Sequence, residues 1–181
     1  MDPPLTPQGE HQCIALKEAF ADRKIDFVIA SPMRRTLQTA HLGFGGKTSK
    51  IIVLPELREF GEGPGSTSMG TANIKSWANK NGIPVDFQTL YKGWEADIQD
   101  KDGYPPSPQR ARFVLKALWK LAVKATAEPG ENKGKWYGVD VAGKLKREAD
   151  MEIVVVAHGA FLSTFPGNHG KPFLRVNWVF G

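Results

Sequence analysis

Two apolar runs, each breaking off into a polar segment that can open a helix, constrain this chain more than any other feature. Ile25 to Ala30 is apolar except for Asp26 and passes directly into Ser31-Pro32; Ile153 to Ala157 is uninterrupted and passes into His158-Gly159. A short continuous apolar run suits a strand covered on both faces, as in a parallel sheet layered between helices. Ser31-Pro32 adds the cap-then-proline signal of a helix start. Strands that feed helices in this way predict an α/β layered domain with right-handed crossovers, whose site lies at the strand C-terminal ends. That arrangement puts Arg35 and His158 at the same edge of the sheet.

The rest of the chain fits this frame. Thr6-Pro7 caps a helix that runs to about Asp22 and carries Cys13, Leu16 and Phe20 as an apolar stripe. Ile51 to Leu54 is a further buried strand, ended by Pro55 and followed by a loop holding Leu57-Arg58-Glu59. A short helix is predicted around Asn73 to Asn81 with Gly82 closing it, and a polar loop from Gly93 to Pro106. Ser107-Pro108 opens the clearest helix, with Ala111, Val114, Leu115, Leu118, Leu121, Ala122 and Ala125 recurring every three or four residues until Glu128-Pro129-Gly130. Leu174, Val176, Trp178 and Phe180 alternate with Arg175, Asn177 and Val179, the pattern of a half-buried edge strand.

Composition narrows the classes of function. The 181 residues suffice for one domain, expected to span 1–181, and 41% hydrophobic with 24% charged content is ordinary for a soluble globular chain. No apolar stretch approaches the ~18–20 residues that cross a bilayer, and the first residues have neither the basic head nor the apolar stretch of a secretory signal. A cytoplasmic location, or a nuclear one, is therefore expected. The single Cys13 excludes an internal disulfide and a cysteine-based metal cluster, and its place in the helical stripe makes it a packing residue. The net charge of +5 owes much to Lys133 through Arg147, where interspersed glycines suggest a solvated insertion more than a nucleic-acid groove.

The two strand ends suggest phosphate chemistry. Moving a phosphoryl group requires positive groups around its oxygens, an in-line nucleophile and an acid for the leaving oxygen. Arg35, one turn into a helix, can fork onto two phosphate oxygens while the helix N-terminus favours the same anion. His158 should emerge from the sheet where the next helix begins, with Gly159 letting a ligand approach the backbone. A surface ion pair for Arg35 and a buried carbonyl partner for His158 are the ordinary alternatives. Glu59, in a loop after a strand, is a candidate proton donor.

Four segments in order carry a resemblance. Leu5-Thr6-Pro7-Gln8-Gly9-Glu10-His11-Gln12, preceded by Asp2-Pro3-Pro4, resembles the Leu-Thr-x-x-Gly-x-x-Gln segment of the histidine phosphatase superfamily, also called the phosphoglycerate mutase-like family. Ser31-Pro32-Met33-Arg34-Arg35-Thr36-Leu37-Gln38-Thr39-Ala40 is similar to its Ser-Pro-x-x-Arg-x-x-Gln-Thr-Ala signature, Leu57-Arg58-Glu59 to the place of its proton donor, and Val156-Ala157-His158-Gly159 to its second histidine. The resemblance implies a phosphoglycerate mutase-like fold: three-layer α/β/α, with a mostly parallel sheet and an antiparallel edge strand. It implies that Arg35 and His158 bind the phosphoryl group, that Glu59 protonates the leaving group, and that no cofactor or metal is needed.

The family's nucleophile is a different histidine, in an Arg-His-Gly segment ending the first strand. That segment is not in this sequence, and His11, His41 and His169 do not stand at strand ends, so no residue is assigned as nucleophile. The chain is expected to be incomplete at the N-terminus, to lack the first strand and to be impaired as it stands. The complete form is read as a phosphatase acting on a small phosphate monoester through phosphohistidine. A non-catalytic phosphoester-binding protein and a phosphoglycerate mutase-type isomerase are the alternatives. The expected partner is a phosphorylated small molecule or phosphate, with neither nucleic acid nor membrane.

Overall fold

The two apolar runs form neighbouring parallel strands at the centre of a five-stranded sheet. The structure, a computed structural model, describes residues 2–60, 63–95, 108–128, 134–145, 150–163, 165 and 174–181. In chain order the described elements are α1 (Pro7–Ala19), β1 (Phe27–Ala30), α2 (Arg34–Phe44), β2 (Ile51–Val53), α3 (Thr71–Lys80), β3 (Val85–Asp86), α4 (Pro108–Ala125), β4 (Lys135–Trp136), β5 (Val139–Asp140), β6 (Met151–Ala157), α5 (Gly159–Leu162) and β7 (Leu174–Phe180). A 3-10 turn at Pro55–Leu57 follows β2. The sheet order is β3-β2-β1-β6-β7, and every pair in it is parallel.

Successive side chains on a strand face opposite ways, and the two faces fill accordingly. Phe27, Ile29, Ile52, Ile153 and Val155 point to a core completed by Val114, Leu118 and Leu121 of α4. Val28, Ala30, Ile51, Val53, Val154 and Val156 point to a second core completed by Leu37, Ala40 and Phe44 of α2 and by Ile74 and Ala78 of α3. The continuous apolar character of β1 and β6 thus follows from cover on both sides. Each fully buried aliphatic side chain contributes about 1.5–3 kcal/mol, so this sandwich supplies much of the fold's stability.

Thr6 caps α1 as expected, its hydroxyl accepting from Gly9 N at 3.2 Å, and the helix stops at Ala19, short of Asp22. Cys13 is buried, with Leu16 and Phe20 packed at the margin of the second core. The cap of α2 differs from expectation. Met33 occupies the cap position and makes no side-chain cap bond, while Pro32 lies outside the helix.

Two further expectations are corrected. β7 is an edge strand but runs parallel to β6; the 16 residues between the two strands, 158–173, are enough for the crossover that a parallel pair needs. Both its faces are covered near its end: Trp178 packs on the first core and Val179 on the second, whereas Phe180 is 67% exposed. The antiparallel pairing belongs instead to a separate ribbon, β4–β5.

That ribbon lies in the Lys/Gly-rich stretch, which is not merely solvated. Trp136, Val139, Val141 and Leu145 enter the first core, and Trp136 Nε1 donates to the Ala117 carbonyl at 2.8 Å. Gly134 is needed to close the ribbon, since a Cβ there would sit 2.1 Å from that of Ala142. Ser107, Pro129, Gly130, Lys133, Arg147 and most of the expected loop up to Pro106 lie outside the described residues.

Candidate active site

His158 is the first residue beyond β6 and Ser31 the first beyond β1. Because Ala30 pairs with Val156, the two side chains meet at the C-terminal edge of the sheet. His158 is 1% exposed and Ser31 is fully buried. His158 Nε2 lies 2.9 Å from Ser31 Oγ, and its Nδ1 lies 2.8 Å from Nη2 of Arg35. A guanidinium has donors only, so Nδ1 accepts; the neutral ring then carries its proton on Nε2 and donates it to Ser31. Burial, and after it the charges of Arg35 and Arg110, hold the His158 pKa well below 6.5, so this ring is neutral.

Arg35 reaches the edge from the first turn of α2. Its Nη1 donates to the Gly65 carbonyl at 2.9 Å and stands 4.0 Å from Asp2 Oδ1. Burial lowers its pKa, Asp2 and Glu59 oppose that shift, and it stays a cation. Asp2 supplies the cap that Ser31 does not. Both its carboxylate oxygens accept from Arg34 N, at 3.1 and 2.9 Å, which places a negative charge at the positive end of α2. Burial raises its pKa to about 6 against the Arg34 hydrogen bond and the Arg35 and Arg34 charges.

Glu59 follows the 3-10 turn, half-buried, with Oε1 accepting from Phe60 N at 3.1 Å. Its charge acts on Arg35. Arg110 of α4 braces this loop: its Nε donates to the Glu56 carbonyl at 2.7 Å, its Nη2 to the Arg58 carbonyl, and its guanidinium covers the rings of Phe60 and Phe161 at 4.1 and 5.0 Å. Phe60 and Phe161 stack with centroids 5.7 Å apart, which joins the Glu59 loop to the helix that follows His158.

The structure therefore brings Arg35 and His158 into contact and sets Glu59 within electrostatic range of Arg35. A cationic fork beside an imidazole at strand ends can hold a tetrahedral oxyanion. The role expected of Gly159 is not forced by packing, since a Cβ there would meet only the Phe180 ring at an ordinary 3.9 Å. Asp2, Ser31 and Arg110 escaped the sequence reading. Asp2 left a trace as an acid ahead of two prolines, Ser31 looked like a cap, and Arg110 was one cation among several on α4. His11 and His41 line a groove between α1 and α2 together with Glu10, Lys17 and Gln38, away from this edge. His169 lies outside the described residues. Among the described residues no group of three or more His, Cys, Asp or Glu could hold a metal ion, and no helix is long and apolar enough to cross a membrane.

Residues 1–83 match the family model of the histidine phosphatase superfamily (branch 1). The match takes in Arg35 and Glu59, and His158 lies beyond it. The solved structure of a mycobacterial glucosyl-3-phosphoglycerate phosphatase in complex with inorganic phosphate is similar over 91% of this chain and 68% of its own, at 20% identity and a TM-score of 0.44. No curated protein matches the chain.

Proposed function

We propose that this edge is the phosphoryl site of a phosphatase-type protein of the histidine phosphatase superfamily, acting on a small phosphate monoester. The observation that carries the proposal is the contact between Arg35 and His158 at two adjacent strand ends. The Arg35 end stands within the segment that matches the family. In this reading Arg35 and His158 bind the phosphoryl oxygens and Glu59 donates the proton to the leaving oxygen. The two cores share one sheet, which supports reading residues 1–181 as one domain. The charge pattern favours a phosphorylated small molecule over nucleic acid, and a cytoplasmic setting fits the composition.

A second reading is favoured by one observation: among the described histidines only His158 stands at this edge. In-line attack through phosphohistidine needs another nucleophile there, and removal of a covalent nucleophile costs many powers of ten in rate. On that reading the chain binds phosphoesters without turning them over. Thermal unfolding with and without inorganic phosphate tests the shared claim. Phosphate should raise the midpoint of the parent and not of Arg35→Ala, since a ligand that binds only the folded state stabilises it by mass action. Equal shifts in the two proteins would remove the anion site from this edge. Hydrolysis of p-nitrophenyl phosphate, lost in Glu59→Gln, then separates the phosphatase from the binding protein.

A further inference from the structure

Ser31 looks like a helix cap in the sequence, but its hydroxyl is turned to His158 and Asp2 caps the helix instead. Its backbone is fixed on both sides: Ser31 N donates to the Val156 carbonyl at 2.9 Å, and the Ser31 carbonyl accepts from Thr36 Oγ1 at 2.7 Å. The hydroxyl is thus a placed partner for Nε2, in a spot that water does not reach. With Nε2 engaged, the nitrogen left facing the candidate anion site is Nδ1, which takes its hydrogen bond from Arg35.

The charged groups around the ring are Arg35 from α2 and Arg110 from α4, with Asp2 and then Glu59 acting through Arg35. Burial first, and after it the Arg35 charge, keeps the ring neutral; an oxyanion that engages the Arg35 donors removes the hydrogen bond to Nδ1, offsets that charge and offers the buried ring a counter-ion. We infer that Ser31 is a positioning residue that holds Nε2–H and reserves Nδ1 for the anion, so that oxyanion binding draws a proton from solvent onto Nδ1, an inference that rests on reading this edge as an anion site. The new N–H then points at the anion, the other proton stays on Nε2 and is still donated to Ser31, and the ring gains one positive charge.

Sulfate is the suitable probe, because it holds no proton near neutral pH. Titrated into the full chain at pH 7 in two buffers of different ionisation enthalpy, it should bind with uptake of about one proton, of which His158→Gln keeps only the smaller share that Asp2 contributes. Ring ¹⁵N shifts should show a neutral Nε2–H imidazole in the free protein and a ring protonated on both nitrogens with sulfate. Ser31→Ala leaves Nε2–H without its acceptor, so it should weaken sulfate binding about tenfold and reduce the proton uptake, while Arg35 still keeps the free ring in the Nε2–H form; Ser31→Thr should restore both affinity and uptake. Sulfate binding through Arg35 without proton uptake, or a Ser31→Ala protein with the parent's sulfate affinity and proton uptake, would overturn the inference while leaving the anion site standing. If no anion binds the parent, the reading of the edge falls as well.

Discussion

Acidification should destabilise this protein through His158, and the effect can be isolated. The unfolded chain protonates a histidine near pH 6.5, whereas the folded ring, buried and facing Arg35 and Arg110, resists protonation. Its folded pKa is depressed, so the unfolded state binds more protons in the window below 6.5 and stability falls as pH falls. One such group gives a slope approaching ~1.4 kcal/mol per pH unit, or about 2 kcal/mol between pH 6.5 and 5. Asp2 opposes this, since its folded carboxyl titrates at about 6 in place of 3.8 and takes up its proton before the unfolded chain does. Stability is therefore gained from Asp2 as pH falls through 6 towards 3.8. The clean comparison is Asp2→Asn against Asp2→Asn/His158→Gln, with urea midpoints followed by tryptophan fluorescence at pH 7, 6 and 5; Trp94 and Trp136 are both buried reporters. The first protein should lose about 2 kcal/mol more than the second over this range. Parallel loss in the two would mean that His158 is not held neutral, and the electrostatic account of the site would be wrong.

Other substitutions test the supports of the site. Asp2→Ala removes the carboxylate cap of α2 and should cost about 1 kcal/mol at pH 7, read as a fall of about 2–4 °C in Tm. Arg110→Met keeps a stem against Phe60 and Phe161 but removes the donors to the Glu56 and Arg58 carbonyls; a loss of about 1–3 kcal/mol in urea unfolding is expected, with weaker phosphate protection because the Glu59 loop is no longer braced. Leu118→Ala, beneath the sheet and far from the edge, should cost about 2–5 kcal/mol yet leave the increment that phosphate adds to stability unchanged. A Leu118→Ala protein that lost phosphate protection while still folded would show that the protection was never local to the edge.

The central strands were readable because both faces of β1 and β6 are covered, which leaves an unbroken apolar run. β3 was not, since two residues, Val85 and Asp86, carry no period. The β4–β5 ribbon was hidden by composition: Trp136, Val139, Val141 and Leu145 stand singly among lysines and glycines, and only the tertiary packing beneath α4 reveals that they are core. The direction of β7 was equally beyond a sequence pattern, because alternation reports which faces are covered and says nothing of which way a neighbour runs. Arg35 and His158 were legible as strand-end residues. Their contact was not, since it depends on β1 and β6 being adjacent, which is a property of the sheet order.

Ser31 and Asp2 show why the remainder of the site was misread. Local chemistry assigns Ser31 to the helix start, as a serine before a proline commonly caps one. The register of β1 on β6 overrides this, because it presents a buried imidazole nitrogen at 2.9 Å from the hydroxyl, and an unpaired polar group there would cost more than an unfilled cap. The cap then has to be filled from elsewhere in the chain, and Asp2 does so with a full negative charge close to Arg35. The consequence is electrostatic as well as structural. A neutral serine cap would leave Arg35 without its nearby carboxylate, whereas Asp2 offsets part of its charge and gives the edge a group titrating at about 6. Protonating Asp2 should therefore strengthen the pull of Arg35 on an anion, so sulfate affinity should rise as pH falls through 6 in the parent and lose that component of the rise in Asp2→Asn. If the two proteins kept identical pH profiles, Asp2 would be a cap and nothing more.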